Sequence, residues 1–214
     1  MVTLNTFYRS LNRRLSFFEE WFLGHSDEIE KNTQVHWLAL EGLLSQTWQS
    51  WGRFCRQTVM ASGLGCVTRN GNHLAPTVTP AQWERISYVA MCVKNQSTVK
   101  AGKTNKILRY EITWGDVNRL INIINFVNPQ NKGQLLTGFG AIGRGPRHLQ
   151  IVRNSAAHLN HETFSDVRAL IPVYDTVRSR HPTDALFWID PTTQNFAYLS
   201  WVQDMRDAAN IVTQ

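Results

Sequence analysis

Apolar residues recur along this chain at intervals of three and four, the pattern of helices that bury one face. Over residues 4–23 it predicts a helix that stops before Gly24. Ser26 then reads as an N-cap, with Asp27, Glu28 and Glu30 in a first turn whose dipole favours acids. A long helix to about residue 61 should follow, with Trp37, Leu40, Leu44, Trp48, Trp51 and Cys55 on one stripe and Gly63 and Gly65 ending it. Residues 62–78 carry Gly, Asn and Pro and predict a loop. Thr79-Pro80 reads as a cap with proline at the first helical position. The helix so begun runs from Pro80 to about Lys94, with Trp83, Ile86, Val89, Ala90 and Val93 inward.

The second half is more broken. Residues 95–106 are polar and lysine-rich, which predicts an exposed loop, and "LRYEITW" alternates like a short strand. Asp116 caps a helix over 117–127 that Pro129 closes, and residues 128–145 form the longest loop. Pro146 opens a helix to about His161, and a shorter one covers 165–178 around Pro172. "ALFWID" reads as extended, and a last helix spans 195–211. The expected fold is mainly all-α: one helical domain over 1–214 with long loops and one or two short strands.

Composition narrows the class. Apolar residues make up 43% and charged residues 18%, the balance of a folded core. The net charge of +6 attracts polyanions, of which nucleic acid is the commonest. Three cysteines with no Cys-x-x-Cys pair argue against a disulfide framework or a zinc–thiolate centre, and no metal or cofactor is expected. Glu19 and Glu20 interrupt the first apolar run, so it does not read as a signal peptide, and no run of about 18 apolar residues predicts a membrane span. The expectation is a soluble cytoplasmic chain.

The candidate chemistry lies in "RNSAAH", Arg153 to His158. On a helix, Leu149, Val152, Ala156 and Leu159 form one apolar stripe, and Arg147, Asn154, His158 and His161 fall opposite, with Arg153 at the edge. Two readings compete. One is a solvated polar face without chemistry. The other is half of a ribonuclease site. Histidine transfers protons near neutral pH, and arginine offers a planar, permanently charged fork to phosphate oxygens. Attack by an RNA 2′-hydroxyl needs no metal ion. One histidine cannot readily act as base and acid in the same step, which gives such a site a motive to dimerise.

The segment resembles the signature of the HEPN superfamily: Arg, a polar residue, a few residues, then His. The resemblance implies an HEPN-like helical bundle with its motif helix at about 146–161. It also implies a metal-independent endoribonuclease, usually a homodimer whose motif helices face each other across one cleft. Many such enzymes are toxins or phage-defence effectors with a cognate antitoxin or regulatory protein. The motif positions map to Arg153, Asn154 and His158, with products carrying a 2′,3′-cyclic phosphate and a 5′-hydroxyl. A non-catalytic module of the same type, binding RNA, nucleotide or a protein partner, is the alternative.

Further candidates surround this core. Glu41 interrupts an apolar stripe, where a carboxylate is costly unless paired, and Arg153 is the expected partner. His161 could touch RNA, or simply lie near the helix end where a cation suits the dipole. "GFGAIG", Gly138 to Gly143, matches a dinucleotide fingerprint but lacks the flanking βαβ unit, so a loop beside the cleft is expected instead. Arg144 and Arg147 would grip RNA phosphates there. Lys100, Lys103 and Lys106, with Lys94 and Arg109 beside them, either track an RNA backbone or merely solubilise their loop.

Overall fold

The computed structural model describes residues 1–26, 33–141, 143–176 and 179–214. Among these stand eight α-helices: α1 (Leu4–His25), α2 (Thr33–Leu64), α3 (Trp83–Lys94), α4 (Val117–Val127), α5 (Lys132–Gly140), α6 (Gly145–Ala157), α7 (His161–Arg168) and α8 (Ala197–Thr213). No strand forms among the described residues. Extended pairing is limited to isolated bridges such as Asp175 with Ile189 and Ile189 with Phe196. The expected strand at "LRYEITW" is a 3₁₀ turn, Leu108–Tyr110: burial does not alternate along it, since Leu108 and Tyr110 face solvent while Glu111, Ile112 and Trp114 are buried. No helix among the described residues is long and apolar enough to cross a membrane.

The chain forms two compact units. The first comprises Met1–Leu11, Trp51–Ile142 and Asp207–Gln214, and the second Asn12–Ser50 and Gly143–Arg206. In the first, α3 packs on α4 and α4 on α5. Asp116 caps α4 by accepting the Arg119 N–H at 3.3 Å, and Asn128 closes it in the left-handed conformation at φ 47°. Helix α3 begins later than expected, at Trp83, after a cis Thr79–Pro80 bond.

Helix α5 occupies residues expected to be a loop. Three glycines argued against a helix, but Leu135 and Phe139, one turn apart, are both fully buried. Gln134 Nε2 donates to the Ile211 carbonyl at 2.7 Å. Gly138 permits the close approach: a Cβ there would overlap Val212 and lie 3.1 Å from Ile211. The Gly138→Ala variant should therefore lose about 1–3 kcal/mol, the usual cost of overpacking, read as a lower urea midpoint.

In the second unit, Phe22 meets Phe187 and Tyr198 at 4.9 Å and Phe196 at 5.6 Å. Helix α6 packs against α7 and against the 3₁₀ segment Pro182–Phe187. Helix α1 continues through Gly24 because His25 stacks on Trp21 and donates Nδ1–H to the Trp21 carbonyl at 2.7 Å. Ser26 bonds back to the Leu23 carbonyl instead of heading α2, and Asp27, Glu28 and Glu30 lie outside the described residues.

Candidate functional site

The motif sits on α6, which Pro146 opens and whose buried face is Gly145, Pro146, His148, Leu149, Val152, Ser155 and Ala156. The helix ends at Ala157, four residues before the expected His161. The cause is a competing cap. Asn160 accepts the Thr163 N–H at 2.9 Å, and the Thr163 hydroxyl donates to the His158 carbonyl at 2.7 Å. These local bonds start α7 and leave His158 as the C-cap of α6, with φ −136° and ψ 67°. Leu159, expected inward, is 66% exposed. His161 is corrected likewise: it opens α7, at the helix end where a cation is disfavoured, instead of closing α6.

Arg153 and Asn154 are brought together. One guanidinium N–H of Arg153 donates to Asn154 Oδ1 at 3.1 Å. Both side chains are half-buried and His158 is exposed. Among the described residues no carboxylate pairs with Arg153, so most of its five donors remain available.

Glu41 does not take the role expected of it. Its carboxylate lies 3.4 Å from His181 Nε2, not on Arg153. His181 is buried, stacks on Trp37 at 4.8 Å and caps the 3₁₀ segment through Nδ1, which accepts the Thr183 N–H. Burial lowers the His181 pKa, while Glu41 and Asp184 act the other way.

Arg144 and Arg147 are exposed at the start of α6. Beside them is a histidine that the sequence reading missed. His148 is only 7% exposed. Trp201 Nε1 donates to the Tyr174 hydroxyl at 2.8 Å, and that hydroxyl lies 2.6 Å from His148 Nδ1. The Tyr174 hydroxyl thus joins Trp201 and His148 in one buried hydrogen-bonded chain. Burial pushes the His148 pKa down to about 4, helped by Arg144 and Arg147 and opposed by Asp190. The available signal was positional, since His148 stands one turn before Val152 on the apolar stripe.

The sign of the consequence is definite. The unfolded imidazole titrates near the ordinary histidine value of 6.5 and the folded one near 4. Between these pH values the unfolded chain binds a proton that the folded chain refuses. This contribution to stability is full above pH 6.5 and declines as the pH falls toward 4. Urea midpoints of a His148→Gln variant should fall less steeply over that window than those of the wild type.

Lys100, Lys103 and Lys106 are exposed and belong to the first unit, whereas the motif helix belongs to the second. Two of the "GFGAIG" glycines, Gly138 and Gly140, lie in α5 and not in the expected loop, whereas Gly143 lies between α5 and α6. The three cysteines are free and buried. Comparison with family models, with curated proteins and with solved structures finds no match for this chain.

Proposed function

We propose that this chain is an HEPN-type endoribonuclease that cleaves RNA by 2′-hydroxyl attack without a metal ion, acting as a cytoplasmic toxin or phage-defence effector. The observation that carries the reading is Arg153: a half-exposed guanidinium without a carboxylate partner among the described residues, on the same short segment as an exposed imidazole. With no carboxylate on it, the planar fork of Arg153 is open to a phosphate, whose geometry it matches.

In the proposed reaction the 2′-oxygen forms a bond to phosphorus and the bond to the 5′-oxygen breaks. One His158 takes the 2′-hydroxyl proton, and the His158 of a second copy protonates the departing 5′-oxygen. Arg153 binds the phosphate and stabilises the charge that grows on its free oxygens. Asn154 is a positioning residue that orients the Arg153 fork. Two copies are needed because base and acid must act on opposite sides of one phosphorus. Arg144 and Arg147 extend the phosphate contacts, and a cognate antitoxin would act by covering this face.

The test is cleavage of RNA in EDTA by the wild type, Arg153→Ala and His158→Ala, with product ends identified. Full RNA binding without cleavage over a broad substrate set would instead mark a non-catalytic binding module.

A further inference from the structure

Phe126 is an apolar residue on the wrong side of its helix. The buried face of α4 is Leu120, Ile123, Ile124 and Val127, yet Phe126 stands 60% exposed beside it. A single exposed apolar residue is ordinary, but this ring borders two depressions. One, of about 480 Å³, is lined by Val93, Gln96, Thr98, Val99 and Asn122 as well as Phe126. The other, of about 350 Å³, is lined by Val78, Thr79, Val89, Val99 and Gly102 as well as Phe126.

The wall shared by both is the loop after α3. Residues 94–110 carry Lys94, Lys100, Lys103, Lys106 and Arg109 and no acid. The loop is held in place before any ligand arrives. Arg85 donates to the Lys100 carbonyl at 2.7 Å and to the Lys103 carbonyl at 3.0 Å. Buried Asn105 donates from its backbone to the Glu84 carbonyl at 2.8 Å and from its amide to the Ser87 hydroxyl at 3.0 Å. These bonds occupy carbonyls and the Asn105 amide, and leave the lysine side chains exposed.

We infer that Phe126, the depressions flanking it and the basic loop form a docking site for single-stranded RNA. A base stacks on the Phe126 ring, and Lys100, Lys103 and Lys106 hold the adjoining phosphates. An exposed aromatic beside a basic track is the arrangement that holds single strands, because every base offers a face and every linkage a charge. Gln96 and Asn122 offer both donors and acceptors, as base edges do, whereas the carboxylate side chains of an acidic peptide offer acceptors alone. The inference takes its ligand class from the RNA reading above and assigns a part of the surface that the Arg153 motif does not include.

The test is fluorescence anisotropy with a labelled 2′-O-methyl oligonucleotide, which lacks the attacking hydroxyl and so reports binding alone. The Phe126→Ala variant should bind the single strand about tenfold more weakly, and Phe126→Leu, which keeps apolar area but not the ring, should also weaken. Duplex binding should change little. The Lys100→Gln, Lys103→Gln, Lys106→Gln triple variant should reduce the salt slope by about 2, as for three lost phosphate contacts. Phe126→Ala affinity within twofold of the wild type overturns the site, as does an acidic peptide that competes as well as RNA. Wild-type cleavage alongside unchanged Phe126→Ala affinity removes the docking site alone. Lost affinity in that variant, with no cleavage by any form of the protein, supports the docking site and removes only the nuclease assignment.

Discussion

Cleavage of RNA in EDTA is expected to fall by at least about 10²-fold in His158→Ala, since a positioned acid–base group typically contributes 10²–10⁴. Arg153→Ala should cost about 10²–10³, the range for removing one donor aimed at developing charge. His158 is exposed at a helix end and Arg153 is half-exposed, so neither truncation opens a cavity in the core. Circular dichroism and the urea midpoint should stay close to wild type, which separates lost chemistry from lost folding. Arg153→Lys should be intermediate, because it keeps the charge and loses the fork. The wild-type products should end in a 2′,3′-cyclic phosphate and a 5′-hydroxyl. Cleavage at the wild-type rate by either alanine variant removes the assignment.

The largest effect on stability is expected at Glu111. This carboxylate is only 7% exposed. It accepts two bonds from the Arg56 guanidinium, at 2.7 and 2.9 Å, and a third from Trp114 Nε1 at 2.6 Å. Burial alone would push its pKa up, but Arg56, Ser87 and Trp114 outweigh that, and it lies below the ordinary carboxylate range. Glu111→Gln keeps the shape and removes the charge. It should destabilise the protein by about 3 kcal/mol, the low end for breaking a buried pair, because Arg56 keeps partial access to water. Urea unfolding measures this. The Arg56→Met, Glu111→Leu double variant should recover part of the loss, since removing both charges leaves neither one buried alone. A depressed folded pKa also means that the Glu111 contribution is complete above the unfolded value near 4.5 and disappears as the pH falls through the folded one. Acid unfolding of Glu111→Gln should therefore be shallower than that of the wild type. A variant with wild-type stability would show that the fork contributes little.

Much of the fold was legible locally. The α1, α2 and α3 stripes, the Asp116 cap of α4, the glycine end of α2 and the opening of α6 at Pro146 all follow from side-chain periodicity and backbone capping, which act within one or two turns. The Arg153–Asn154 bond was not expected, since Glu41 was the expected partner of Arg153. The end of α6 was in principle legible too, from Asn160 and Thr163, but periodicity alone carried the helix past it. What could not be read depends on partners far along the chain. Helix α5 exists because Gly138 lets it approach residues 211 and 212. Glu41 meets His181 and not Arg153, and His148 is buried beside Tyr174 and Trp201, which lie 26 and 53 positions beyond it. Phe126 gains meaning only from the loop wrapped beside it. Short-range bonds and the hydrophobic period decide where helices form, but the environment of a titratable or aromatic side chain is set by what folding brings to it, and no local window contains that.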